Sequence, residues 1–216
     1  MNGPLINILI RTTTGREQEF KRCISSIRAQ MYSPLRLIIC TDSPTVSPYI
    51  TQSLNGFRET TILYIKNSGV PYHWNFYCNN LKDKVNHGWF FYLDDDDYLV
   101  SENCLSNIAK HLFNPSEGVI CQFNRGRRAK PDPHEGDVGI NIHLPSINWY
   151  INKDTITRGK IGGSCIFLHH TKKDIANWDG QRAADYRFIK SVADKIPLKF
   201  VPVIVVQAGN KGRHGK

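Results

Sequence analysis

The sequence has no C-x-x-C pair among its six cysteines, Cys23, Cys40, Cys78, Cys104, Cys121 and Cys165, which excludes zinc-ribbon and dithiol redox chemistry. They are scattered, mostly within apolar segments, and read as reduced core residues of a cytoplasmic protein. No apolar run approaches the length of a membrane span. The apolar start from Leu5 to Ile10 is too short for a signal h-region and follows no basic segment, so any membrane contact is expected to be peripheral. No G-x-G-x-x-G follows the first apolar run and no G-x-x-x-x-G-K-[ST] occurs, which removes the main support for dinucleotide and P-loop readings. The adjacent His169 and His170 lack metal-ligand spacing and read as structural or surface residues.

What is present suits a globular domain. The 216 residues are 40% hydrophobic and 22% charged, enough for a full core in one domain spanning residues 1–216. The 28 Lys and Arg against 19 Asp and Glu give +9, which fits an anionic ligand, a membrane surface or nucleic acid without choosing among them. Nucleic acid lacks any supporting stacking motif.

The organising stretch is Trp89 to Val100, where an apolar run leads into Asp94, Asp95, Asp96 and Asp97 and then into Tyr98 and Leu99. Unit charges a few ångströms apart repel by roughly 1 kcal/mol in water and about 4 near a protein surface, so this cluster needs a counter-charge. Most acidic runs are solvated faces, but this one is bracketed by residues that favour burial. A calcium loop numbered from Asp94 fails, because Leu99 stands where glycine must turn and Leu105 where the bidentate glutamate belongs. Magnesium is held by one or two carboxylates plus substrate phosphates, so the stretch reads as a metal-nucleotide site.

In chain order, Ile6–Ile10 reads as a buried strand ending in Arg11-Thr12-Thr13-Thr14-Gly15-Arg16. A helix from about Glu17 to Met31 follows, with Phe20, Cys23, Ile24, Ile27 and Met31 on one face. Leu35–Cys40 is a second buried strand, running into the turn cluster Thr41-Asp42-Ser43-Pro44. This is a βαβ unit and implies an α/β fold with a mostly parallel sheet flanked by helices. Ligands of such sheets bind at the carboxyl ends of strands, where Thr12, Thr13, Arg16 and Asp42 lie. A third strand near Thr61–Ile65 leads through Asn67-Ser68-Gly69 to a helix containing Trp74, Asn75 and Asn79. Ser101 is expected to cap a helix reaching about Phe113, and Gly118–Phe123 is another strand.

These positions together resemble the family 2 glycosyltransferases, inverting enzymes with the GT-A nucleotide-sugar fold. The matching residues are Arg11-Thr12-Thr13-Thr14 with Arg16, Gln30, Thr41-Asp42-Ser43, Asn67-x-Gly69 with Asn75, and Leu93-Asp94-Asp95-Asp96-Asp97. Arg11 stands where that family has proline, Thr13 where it has tyrosine, Thr41 where it has the first aspartate of a pair, and Trp74 where it has arginine. The resemblance covers about residues 1–125, a donor-binding half, and implies a GT-A, Rossmann-like sheet. It implies Asp42 on the base or ribose, Asp94 on the ribose, and Asp96 on an Mn2+ or Mg2+ ion that bridges the diphosphate. Thr12, Thr13, Arg16, Asn75 and Asp95 are counted with the donor contacts. Side-chain alternation in an extended segment would put Asp94 and Asp96 on one face and Asp95 and Asp97 on the other.

The remainder, about 126–207, would be the acceptor half. Asn124 to Lys160 reads as a long exposed loop with the basic cluster Arg125 to Lys130. Asp185, opening an apparent helix with Phe188, Ile189 and Val192 on its apolar side, matches the family's acceptor-side base. It equally suits a first-turn charge favoured by the helix dipole. Glycines in Arg158 to Ser164 allow close approach of backbone to a ligand, or simply make a turn. The basic tail 208–216 is expected to be flexible, with His214 a candidate metal ligand and Arg213 or Lys211 a candidate phosphate contact by the resemblance.

The expected activity is transfer of one sugar from a nucleotide-sugar donor, foremost a uridine diphosphate (UDP) sugar, to a glycan, lipid or small-molecule hydroxyl. The absence of Q-x-x-R-W argues against processive polysaccharide synthesis. A sugar-nucleotide pyrophosphorylase or a catalytically inactive nucleotide-sugar-binding module are the alternatives.

Overall fold

The computed structural model describes residues 3–43, 48–124, 143–144, 156, 158–159 and 161–209. Two apolar runs at the start of the chain become its central strands. β1 (Ile6–Thr12) is buried along its whole length, and β2 (Leu35–Thr41) is buried from Leu37 onward. Strands covered on both faces cannot alternate with polar residues, which is why these segments read as continuous apolar runs. Each large side chain so buried contributes about 1.5–3 kcal/mol. Between them runs α1 (Glu17–Arg28), whose Phe20, Cys23, Ile24 and Ile27 face the core. The helix stops short of Met31, which is 72% exposed rather than part of that stripe.

Then follow α2 (Pro48–Leu54), β3 (Thr60–Tyr64), α3 (Trp74–Asp83), β4 (Trp89–Tyr92), β5 (Tyr98–Leu99), α4 (Cys104–Ala109), β6 (Gly118–Asn124), β7 (His143–Leu144), β8 (Ile166–His169), α5 (Ala184–Ala193) and β9 (Leu198–Gln207). The sheet order is β3-β2-β1-β4-β8-β6-β9-β5, with β7 alongside β6. The long ladders, β1 with β2 and β4, β2 with β3, and β6 with β9, are parallel. The antiparallel pairings are short, as where Trp89 and Phe90 meet His169 and Leu168.

The expected helix from Ser101 to Phe113 is much shorter. Ser101 is not its cap: its carbonyl accepts Gln30 Nε2 at 2.7 Å, and α4 begins at Cys104. Phe113 is 68% exposed, beneath the Lys199 ammonium 4.3 Å from its ring centroid. All six cysteines are buried and free, as their apolar surroundings implied. Among the described residues no helix is long and apolar enough to cross a membrane.

Aromatic packing fixes α5. Phe91 of β4 stacks on Phe167 of β8 at 4.4 Å. Tyr92, Trp178 and Phe188 then form a triangle with centroids 5.1–5.9 Å apart, Trp178 and Phe188 being stacked. Such rings bury large areas in defined geometry, so α5 is docked directly against the strand that carries the acidic run.

Candidate active site

The order β2-β1-β4 puts three carboxyl ends side by side. Asp42 follows β2, Thr12 and Thr13 close β1, and Asp94 to Asp97 follow β4. This is the edge at which open parallel sheets bind ligands.

Asp94 to Asp97 form a turn, closed by the Asp97 N–H donating to the Asp94 carbonyl at 3.0 Å. The alternation expected of an extended segment therefore fails: the strand has ended at Tyr92, and the carboxylates sort by the groups that answer them. Asp94 pairs with Arg11, whose Nε and Nη2 donate to its two oxygens at 2.8 and 3.3 Å. Asp95, fully buried, accepts Thr12 Oγ1 and Arg16 Nε, both at 2.8 Å. Asp96 has Arg16 Nη2 at 3.2 Å from Oδ2. Asp97 accepts the Gly209 N–H at 2.8 Å and the Ser164 hydroxyl at 3.4 Å. Burial, reinforced by Asp94 and Asp96, pushes the Asp97 carboxyl well above the usual carboxylate range. Burial opposes charge on Arg11, but Asp94 beside it keeps the guanidinium firmly protonated.

Much of the required counter-charge is thus supplied by arginine, a part that reading the sequence assigned to a cation alone. Arg22 adds to it, donating to the Asp96 carbonyl at 2.6 Å and lying over the Tyr98 ring at 4.8 Å. Arg22, Ser26 and Gln30 follow one another at intervals of four along and just beyond α1, one helical face. Ser26 Oγ accepts the Leu99 N–H at 3.0 Å, and Gln30 accepts the Leu105 N–H at 3.2 Å while donating to Ser101. The face is a clamp on the chain leaving the acidic turn. The spacing was visible in the sequence; its target was not.

On the β2 side, Asp42 accepts Thr13 Oγ1 at 2.6 Å and Tyr77 Oη at 3.4 Å, with His73 Nε2 at 3.7 Å. Tyr77 and His73 did not figure in the sequence reading. Burial, then Asp42, pushes the Tyr77 hydroxyl up, so it stays a donor at neutral pH. Gly69, at φ +73°, donates to Asn67 Oδ1 at 2.8 Å, a turn in which the asparagine side chain holds the backbone.

Asn75 is 6% exposed, and its amide is engaged at both ends by the protein. Oδ1 accepts Arg11 Nη1 at 3.1 Å and Nδ2 donates to the Gln181 carbonyl at 2.9 Å.

Asp185 lies in the first turn of α5, behind Ala183, whose φ of 60° is left-handed. The Tyr186 N–H donates to Asp185 Oδ1 at 2.8 Å. The short turn Gly163–Cys165 packs on α5 while its Ser164 donates to Asp97. The Cys165 thiol between them is pushed up by burial, then by Cys121, with Asp185 and Asp97 both adding. Ser164 thus ties the turn that packs on α5 to the acidic turn. Asp179, the other acid nearby, is committed to Arg187 through Nε and Nη2 at 2.5 and 2.6 Å.

Gly209 sits directly over the turn: a Cβ there would stand 2.1 Å from the Asp96 carbonyl oxygen. Lys211, Arg213 and His214, and the basic cluster Arg125 to Lys130, lie outside the described residues.

Among the described residues no three His, Cys, Asp or Glu side chains converge to hold a metal ion. The donor set is nevertheless all hard carboxylate oxygen, which suits Mg2+ or Mn2+. Ions of that kind take one or two carboxylates, with phosphate and water completing the shell. A single carboxylate such as Asp96 fits a cation that arrives with a diphosphate rather than one caged in advance.

The curled, mostly parallel sheet with its flanking helices is a GT-A fold. The model of glycosyl transferase family 2 matches residues 9–171, and the chain belongs to that family. Among solved structures, S. aureus TarS 1-349 in complex with UDP-GlcNAc superposes with a TM-score of 0.70 at 14% identity, over 98% of this chain and 59% of that one. The mannosyltransferase PcManGT from Pyrobaculum calidifontis, in complex with GDP-Man and Mn2+, gives 0.66 at 12% identity, over 98% and 59%. This chain thus spans about three-fifths of the length of these relatives. No curated protein sequence matches it significantly.

Proposed function

We propose that this chain is a metal-dependent, inverting glycosyltransferase that moves one sugar from a nucleoside diphosphate donor, foremost a UDP sugar, to a hydroxyl on a glycan, lipid or small molecule. The supporting observation is the single edge on which Asp42 and the Asp94 to Asp97 turn lie, with Ser164 of the turn that packs on α5 hydrogen-bonded to Asp97. Family membership and neighbours bound to UDP-GlcNAc and GDP-Man agree with it.

In this reading Asp42, with Thr13, His73 and Tyr77 around it, receives the nucleobase end, and Asp94, oriented by Arg11, receives the ribose. Asp96 would hold Mn2+ or Mg2+, which would supply Lewis-acid stabilisation of the charge on the departing diphosphate. Arg16 and Arg22 keep the turn in shape. Asp185 takes the proton from the acceptor hydroxyl as that oxygen attacks the anomeric carbon. The bond from that carbon to the diphosphate oxygen breaks, and its electron pair leaves with the nucleoside diphosphate. One displacement from the opposite face inverts the anomeric centre. Asp185 is preferred over Asp179 because the latter is held by Arg187.

The test is calorimetry and donor hydrolysis with a panel of UDP- and GDP-sugars and Mn2+, on wild type and Asp96→Ala. Metal-dependent turnover lost in the variant is expected. Binding without turnover would favour the inactive module, and turnover indifferent to both metal and Asp96→Ala would overturn the metal assignment.

A further inference from the structure

Arg11 is a buried arginine at the end of a strand otherwise filled by apolar and small polar side chains. It makes more than the ion pair with Asp94. Nη1 donates to the Trp74 carbonyl and to Asn75 Oδ1, both at 3.1 Å, and the guanidinium carbon stands 5.7 Å from the Trp178 ring centroid. Asn75 passes the connection on by donating to the Gln181 carbonyl at 2.9 Å. One turn further along α3, Asn79 holds the same segment through two bonds of 2.9 Å, accepting the Trp178 N–H and donating to the Trp178 carbonyl. Gln181 belongs to the stretch that leads into Asp185, and its N–H is fixed on Asp179 at 3.0 Å.

Every link is side-chain based and directional. A guanidinium offers five donors in a rigid plane, so it can serve a carboxylate, a carbonyl and an amide at once, which lysine cannot. We propose that Arg11 is a positioning residue for the transfer reaction: through Asp94 on one side and Asn75 on the other, it sets the donor-side carboxylate and the segment bearing Asp185 in mutual register. The inference rests on the glycosyltransferase reading and adds to it a residue that touches neither substrate. Its chemical use is orientation, since attack on the anomeric carbon requires base, acceptor oxygen and leaving group to be aligned at once.

The experiment compares wild type, Arg11→Lys and Asn75→Leu, with melting temperature as a folding check. Asn75→Leu keeps size and cuts the link from Arg11 to Gln181 while leaving the Arg11–Asp94 pair. It is expected to lower kcat for donor hydrolysis about ten- to a hundredfold, a larger loss than that in affinity for the matching nucleoside diphosphate. Arg11→Lys, which keeps the charge, is expected to weaken nucleotide affinity and lower kcat together. In both variants amide exchange should quicken in residues 178–186 and not in β1 or β2. Wild-type kcat in both variants, or exchange quickened throughout the sheet, overturns the positioning role while the transferase reading stands. A wild type that neither binds nucleotide nor hydrolyses any donor overturns the transferase reading, and the role of Arg11 with it.

Discussion

Arg16 Nε lies 2.8 Å from Asp95 Oδ2, and the Asp95 side chain is wholly shielded from solvent. The same guanidinium reaches Asp96, so one arginine neutralises two successive acids of the turn. Removing one partner of a buried pair leaves an uncompensated charge, which typically costs about 3–5 kcal/mol. Arg16→Met should therefore lower the stability found by urea unfolding by an amount of that order, with Thr12 Oγ1 still donating to Asp95. A loss below about 1 kcal/mol would show that the pair is not what holds the turn.

How far this arrangement could be read in advance differs by element. The strands β1, β2 and β6 announced themselves because burial on both faces forces a continuous apolar run. The carboxyl-edge site followed from strand order. Asp42, Asp94 and Asp185 were singled out by the family resemblance, and the structure puts Asp42 and Asp94 at the carboxyl ends of β2 and β4. What the sequence hid was lateral: nothing local to Arg11 or Arg22 says that each reaches a residue more than 70 positions away. The acidic run looked like an extended segment, whereas after Tyr92 the chain bends into a turn that those distant arginines and Gly209 hold. Likewise α4 starts late, at Cys104, where Gln30 takes up the Ser101 carbonyl and the Leu105 N–H from outside the helix.

Gly209 sets a second test. A methyl group there would meet the Asp96 carbonyl oxygen at 2.1 Å, and that atom is backbone already held by Arg22. Gly209→Ala must push the end of β9 away from the turn and weaken the bond from the Gly209 N–H to Asp97. Overpacking of this kind costs about 1–3 kcal/mol. The expected signs are a lower melting temperature and weaker binding of nucleoside diphosphate with Mn2+ by calorimetry.

The Asp179–Arg187 pair gives a pH signature. The hydrogen bond from Arg187 is the main reason that the Asp179 carboxyl sits below its ordinary value. A depressed acid contributes stability above its unfolded pKa, about 3.9, and loses it as pH falls through the folded value. Both side chains are more than a third exposed, so the contribution is about 1 kcal/mol or less. Asp179→Asn should be slightly less stable than wild type at pH 6, and the two should converge as pH is taken below 4. A difference that persists in acid would place the effect in packing, not charge.

Asp185→Asn is the last prediction and the one that separates base from helix-end charge. Asparagine keeps the shape and still offers an oxygen to the Tyr186 N–H, so α5 should hold its place. It cannot take a proton. If Asp185 is the base, turnover should fall about 10²- to 10⁴-fold while nucleotide affinity and melting temperature stay near wild type. If its part is only to meet the helix dipole, the loss should be about 0.3–1 kcal/mol of stability with turnover intact. Because the two outcomes move different observables, one set of kinetics and one thermal melt decide between them.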